Sequence, residues 1–196
     1  VAGQLGASGM SLYFSGDGVP VAQPLFQVDG DGAIPISPLQ LKFISIDVLT
    51  AIELNKIWHS KLPNVIPSNI YRSCGFCYAA EFDNRFYACA IWSMPVARMI
   101  KGNVYELRRL AISELSPKNT ASRFIAWMVK DIKKRLPELD RLISYQDTEA
   151  HLGTIYKASG WEISGNSVGG EWTRTSRNRN PSQATAPKVR WEKKLK

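Results

Sequence analysis

The stretch SYQDTEAHLGTIYKASGW, Ser144 to Trp161, brings a carboxylate (Asp147), an imidazole (His151) and a phenol (Tyr156) within ten residues of one another. A phenol near the start of a helix can serve as a general acid or as a ligand to an oxidised metal, and a carboxylate can accept a proton or bind the same ion. His151 stands five positions from Tyr156, about a turn and a half of helix, so it is expected to face a different part of that helix. The plainer alternative remains open: Asp147 as a cap, Tyr156 as core and His151 as a solvated side chain. The second of the chain's two histidines, His59 in WHSKLP, is equally two-sided. Its imidazole can sit at a helix end for the sake of the dipole, or it can be a remote ligand that completes a His, Asp, Tyr set.

A second chemical possibility lies in VYELRRLAIS followed by SPKNTAS. The first turn of a helix has unpaired N–H groups and the positive end of the dipole, so a pyrophosphate is stabilised where SPKNTAS enters the next helix. Lys118 and Arg123 would add charge. No glycines let the backbone close on the phosphates, and any capped helix would look alike.

The elements that must position these residues follow from periodicity. In LKFISIDVLTAIELNKIWHSKLP, apolar residues at Phe43, Ile44 and Ile46 predict a strand, and Asp47 or Thr50 caps a helix through Trp58, leaving His59 at its end. IYRSCGFCYAAEFDNRFYACAIWSMPV has two β-rich runs joined by turn formers Asp83 and Asn84, a hairpin. VYELRRLAIS predicts a strand with Tyr105, Leu107, Arg109 and Ala111 on one face and Glu106, Arg108, Leu110 and Ile112 on the other, one of which looks at a ligand. Phe124, Ile125, Trp127, Met128, Ile132 and Leu136 fall on one stripe and predict a helix from about 121 to 135, capped by Asn119, Thr120 or Ser122. LDRLISY returns to strand, a short helix ends at Gly160, and Trp161 to Ile163 opens a final strand. The order is α, hairpin, β, α, β, α, β, with no internal repeat.

The composition fits one domain: 196 residues, 44% hydrophobic and 10% aromatic, enough to bury a core. No apolar run approaches the roughly 18 residues that would span a bilayer, so the expectation is a soluble protein with no membrane partner. The opening lacks the basic and apolar regions of a signal peptide, which sets the expectation of a cytoplasmic location. Cys74, Cys77 and Cys89 are odd in number and CGFC lacks a second ligand pair, so they read as reduced strand residues and not a redox pair. Residues 1–38, rich in Gly, Pro and Ser, read as an irregular extension, residues 39–172 as the catalytic domain, and 173–196 as a basic tail ending in a strand. From Trp172 onward, eight basic residues stand against Glu192, a net of seven of the chain's +8. Basic residues interleaved with Asn, Ser, Thr and Trp suit phosphate backbones, although a solubilising tail has the same composition.

Taken together, YELRRLAIS, NTASRFIAWMVKDIK, LISYQDTEAHLGTIYKASGWEISG and KVRWEKKL, with WHSKLP upstream, resemble the phage Mom family of DNA adenine-modification proteins, a divergent branch of the GNAT acyltransferase superfamily. The resemblance implies an α/β (α+β) GNAT-like fold, a central mixed twisted sheet flanked by helices. It implies acetyl-CoA as cofactor, held by Leu110 and Ile112 of the strand and by Lys118, Asn119, Thr120, Ala121, Ser122 and Arg123 at the helix entrance. It also implies transfer to the N6 amine of adenine in DNA to give a carbamoylmethyl group, protecting phage or mobile-element DNA from restriction in a bacterial or phage-infected cell. Carried over by motif, the catalytic residues are Asp147, Tyr156, His59, Arg108 and Arg109. The usual Arg/Gln-x-x-Gly-x-Gly/Ala loop of the superfamily is replaced by SPKNTAS. Because that product bonds N6 to the acetyl α-carbon, a redox metal is a natural agent, and His59, Asp147 and Tyr156 are the expected iron ligands. DNA contacts are expected from Arg174, Arg177, Arg179, Lys188 and Arg190, and a homodimer is allowed. The rival expectations are a conventional N-acetyltransferase acting on a protein or small-molecule amine, and a catalytically silent GNAT-like DNA-binding protein.

Overall fold

A computed structural model of the chain describes residues 10–14, 20–24, 33–59, 61–62, 64–71, 73, 75–97, 99–167 and 186–196. Its centre is a seven-stranded sheet in the order β3-β4-β5-β6-β7-β9-β8, formed by β3 (Lys42–Ser45), β4 (Phe76–Phe82), β5 (Arg85–Ser93), β6 (Val104–Ile112), β7 (Arg141–Asp147), β8 (Glu162–Ser167) and β9 (Lys188–Lys194). Every neighbouring pair is antiparallel except β6 and β7, which run parallel because α3 (Thr120–Arg135) crosses over between them. The hairpin of β4 and β5 turns at Asp83 and Asn84, both at positive φ (49° and 57°), as a two-residue turn matched to the twist of its strands requires.

Each face of the sheet buries its own core. On one, α3 lays Phe124, Ile125, Met128 and Ile132 against Tyr78, Tyr87, Trp92 and Leu142. Each such side chain contributes about 1.5–3 kcal/mol on burial, and the stripe is the one its spacing predicts. On the other face, α1 (Val48–Trp58) sets Ala51, Ile52 and Leu54 on Ile44, Ile46, Ala79, Cys89 and Ile91. Asp47 caps α1 by accepting the N–H groups of Leu49 and Thr50 at 2.9 and 3.0 Å, as expected. The short α2 (Pro67–Tyr71) and α4 (Thr154–Ala158) complete the α-helices among the described residues, beside one 3-10 turn at Pro38–Gln40.

Several expectations change. The expected alternation of β6 fails at Arg108, which is an extra residue opposite β5: Ile91 pairs with Arg109 and Trp92 with Leu107. A bulge of this kind shifts the faces by one. Tyr105 and Leu107 therefore join the α3 core while Ala111 joins the α1 core, and Leu110 and Ile112 pack on the α3 side. Within residues 1–38, read as irregular, β1 (Met10–Phe14) and β2 (Pro20–Pro24) pair antiparallel. The strand after Trp161 is not the last. β9, read as the end of a basic tail, inserts between β7 and β8 and is an interior strand of the sheet. Asn119 does precede α3, but in the left-handed region (φ 68°) and with no side-chain capping bond. Cys77 and Cys89 are buried, free thiols on β4 and β5, and Cys74 lies outside the described residues.

Candidate active site

The parallel strands β6 and β7 pair over only four positions, from Val104 with Arg141 to Leu107 with Ser144. Beyond that point β6 continues to Ile112 beside β5, while β7 continues to Asp147 beside β9. The bulge at Arg108 explains the parting, since it bends β6 where the pairing stops. A fork opens between the two strands. Among the described residues no strand covers the edge of β6 past Leu107, so its backbone groups are open to an extended chain that carries amides of its own.

At the apex of the fork, Ser144 Oγ donates to the carbonyl of Leu107 (3.2 Å) and shares a hydrogen bond with the Tyr156 hydroxyl (2.9 Å). Ser144 and Tyr156 are both buried. Tyr156 is held by its surroundings: its ring stacks on Trp191 at 5.4 Å and lies 5.8 Å from Trp161. Trp191 is fixed in turn by donating its indole N–H to Gln146 Oε1 at 2.7 Å. Gly153 turns the chain into α4 at φ 72°, and a Cβ there would collide with Gln146 Oε1 and stand 2.8 Å from Trp191 Cζ2. Only glycine admits this approach. Burial pushes the Tyr156 phenol up, and the bond to Ser144 opposes it. His151, expected to face away, stands before α4 with its ring 6.1 Å from that of Tyr156.

The α1 side of the fork is charged. Burial raises Glu106 above the usual carboxylate range against the pull of Arg108, the Val96 N–H, Arg109 and Lys188. Burial, reinforced by Arg108, pulls Arg109 down to about 10. Its Nη1 donates to the carbonyl of Arg108 at 2.7 Å, while its buried Nε has no partner among the described residues. His59 ends α1, accepts the Leu62 N–H on Nδ1 at 3.2 Å, and is lowered by burial and then by Arg109, so it is neutral at pH 7. Its other ring nitrogen has no hydrogen-bond partner among the described residues.

The loop from Ser113 to Asn119 is tied to β5 through Ser113 N–H and Ser116 Oγ, which both donate to the Tyr87 carbonyl at 2.8 and 2.6 Å. With Asn119 making no side-chain cap, the N–H groups of Ala121 and Ser122 have no partner among the described residues, the condition for an anion at a helix start. Lys118 is exposed beside it. Arg123 is occupied instead: it donates to the Pro38 carbonyl at 2.6 Å and lies 5.4 Å from the Phe43 ring centroid.

The residues expected to hold iron do not fit that role. The Tyr156 hydroxyl is engaged with Ser144 on the α3 side, and its burial opposes the phenolate that would ligate. His59 lies on the α1 side next to the Arg109 guanidinium, which repels a cation. The Asp147 carboxylate accepts the Glu149 N–H at 3.0 Å in the local turn and does not cap α4, whose N-cap is Gly153. Among the described residues no three His, Cys, Asp or Glu side chains are grouped to hold a metal. Arg174, Arg177 and Arg179 lie outside the described residues. Lys188 and Arg190 are on β9, where Arg190 is bound to Ser164 through Nε and Nη2, both at 3.0 Å. Sequence reasoning missed Glu106 and Ser144. A lone acid before two arginines and a lone serine in an apolar strand were the only local signals.

The model of the Mom protein family matches residues 93–195, from the end of β5 through β9, and so takes in the fork and both strands that frame it. The chain belongs to the Mom family. No curated protein matches it. Its fold is that of the GNAT acetyltransferases, by likeness to solved structures. A GNAT family acetyltransferase from Elizabethkingia anophelis, with acetyl-CoA bound, is 12% identical, with 80% of this chain and 99% of that one covered at a TM-score of 0.56. An acetyltransferase from Bacillus subtilis in complex with CoA is 14% identical, covering 79% and 99% at 0.57. A GNAT family acetyltransferase from Streptococcus pneumoniae is 11% identical, covering 80% and 99% at 0.54. No helix among the described residues of this Mom-family chain is long and apolar enough to cross a membrane.

Proposed function

We propose that this Mom-family protein is an acyl-CoA-dependent transferase that modifies the N6 amine of adenine in DNA. The observation that carries the reading is the fork between β6 and β7, with the Tyr156 hydroxyl at its apex, inside the segment that matches the family. Acetyl-CoA lies with its amide-bearing arm along the free edge of β6 at Leu110 and Ile112, and its pyrophosphate at the open N–H groups of Ala121 and Ser122 beside Lys118. The adenine leaves the base stack at a cost of a few kcal/mol, recovered from phosphate contacts. Arg108, Arg109 and Lys188 on the α1 side supply cations for those contacts, with Arg174, Arg177 and Arg179 as further candidates. His59 contributes the free nitrogen of a neutral imidazole for orienting the base.

Glu106, raised by burial, takes the proton from the attacking amine, and Tyr156 gives a proton to the departing thiolate. This accounts for an amine attacking a thioester. The N6-carbamoylmethyl product implied by the resemblance also needs oxidation of the α-carbon and an amide nitrogen, which neither side chain supplies, so no step is assigned to iron.

Mass spectrometry of nucleosides from DNA of cells expressing the wild type, beside Tyr156→Phe, tests the proposal. A new deoxyadenosine derivative, lost in the variant, is expected, and its mass separates acetyl from carbamoylmethyl. Unmodified DNA together with an acetylated protein or small-molecule amine would identify a conventional acetyltransferase. DNA binding with no acetyl-CoA binding would identify a silent binder.

A further inference from the structure

The hydrogen bonds at the fork apex admit one assignment of protons. The Leu107 carbonyl can only accept, so the single hydroxyl proton of Ser144 is spent on it. The bond between Ser144 and Tyr156 must then be donated by the phenol. No water reaches this pair, since Ser144 is 2% exposed and Tyr156 4%. The rings of Trp191 and Trp161 pack on the phenol ring at 5.4 and 5.8 Å and hold it toward Ser144. In the resting site, therefore, the acidic proton lies along a fixed line from Tyr156 to Ser144, at the point where β6 and β7 part.

We infer that Ser144 is the positioning residue for the Tyr156 proton, holding it in the resting site and taking over as donor once it has left. The inference rests on the acyl-transfer reading above. As the carbon–sulfur bond of the thioester breaks, its electron pair stays on sulfur and the thiolate takes the Tyr156 proton. The Ser144 hydroxyl then turns from the Leu107 carbonyl to the phenolate oxygen. The amine gives up one proton to Glu106 and the phenol gives one to sulfur, so the proton held by Glu106 equals the one that must return to Tyr156, and charge and protons balance over the turnover. A hydrogen bond to an ionised oxygen is about twice as strong as a neutral one, which is why the swap favours the product side. Ser144 touches no substrate in this scheme and acts through Tyr156 alone.

The test is a double-mutant cycle on the full chain with Ser144→Ala and Tyr156→Phe, read as kcat and KM for acetyl-CoA. The expected result is a fall in kcat of about 10- to 100-fold for Ser144→Ala, the worth of a hydrogen bond to a charged group. KM should stay unchanged, and Ser144→Ala should cost nothing further in the Tyr156→Phe background. Ser144→Thr, which keeps the hydroxyl, should restore most of the rate, and Ser144→Cys, nearly the same size, covers the case in which the added methyl disturbs folding. Additive losses, or a wild-type rate in Ser144→Ala, would overturn the inference while leaving the transferase reading intact. A wild type that binds acetyl-CoA but transfers to no amine overturns that reading instead. In that case the exchange-protected hydroxyl proton of Tyr156, followed by NMR in tyrosine-labelled protein, still decides: its loss in Ser144→Ala and return in Ser144→Thr support the bond, and an unaltered resonance refutes it.

Discussion

The two sides of the sheet at the fork solve opposite problems. On the α3 side, Tyr156, Ser144, Gln146 and Trp191 form a dry chain of hydrogen bonds and stacked rings with no charge in it. On the α1 side, Glu106, Arg109 and His59 stand near Arg108 with the pKa values of those three displaced and the Arg109 Nε left without a partner among the described residues. That chain of four side chains is complete in itself. The second side holds charge that burial disfavours, and such strain persists only where something is gained from it, as when a ligand supplies the missing partner. A proton donor needs a fixed neighbour and no water, whereas a polyanionic substrate needs cations not yet satisfied.

The comparison can be broken at its strongest points first. Tyr156→Phe removes only the hydroxyl from the packed side and should lower kcat by about 10²- to 10⁴-fold, the range for losing a general acid. Ser144 keeps its bond to Leu107, so the thermal midpoint should hardly move. A single-turnover assay beside a melting curve would show whether chemistry and stability part in this way.

Glu106→Gln tests the charged side and should cost about 10²-fold in rate. Because Glu106 is raised, the acid limb of the wild-type rate profile should lie above the usual carboxylate range and vanish in the variant. Stability should move the other way. A carboxyl raised in the folded state favours its protonated form, so its stabilising contribution is full below the unfolded pKa and is lost as pH rises through the folded one. Urea titrations across that window should therefore find Glu106→Gln losing less stability with rising pH than the wild type.

The smallest effect sharpens the contrast within the packed side itself. Trp191 donates its indole N–H to Gln146, whereas the buried Trp161 Nε1 has no partner among the described residues. Trp191→Phe strands the Gln146 carbonyl oxygen and should cost about 1–3 kcal/mol beyond the lost ring area. Trp161→Phe loses similar area but removes an orphan donor, so its cost should be smaller by about that amount. Equal losses in chemical denaturation would mean that Trp161 is satisfied in solution.

The order of elements was legible because it depends on local periodicity. The stripe of α3, the Asp47 cap, the Asp83–Asn84 turn and the Gly160 stop each lie within a few residues of the side chains that specify them. Tyr156 was legible as a candidate from its place after a strand and from the family resemblance. Its partner Ser144 was not, because a serine in an apolar strand has no meaning until a neighbouring strand supplies a carbonyl. The bulge at Arg108 was equally hidden: over the paired stretch seven residues of β6 stand opposite six of β5, which is visible only when both strands are in register, and reading β6 alone assigned Arg109 to the face of Leu107.

The amino-acid sequence by itself determined the helices, the hairpin, the basic character and the kinship of this chain, since propensity, period and motif are carried by neighbours along the backbone. Tertiary structure alone decided that β9 belongs inside the sheet, that His59 and Tyr156 stand on opposite sides of it, and that one serine joins the fork apex to the phenol. Those facts rest on contacts between strands distant in the chain, where the register of pairing fixes which face each side chain takes.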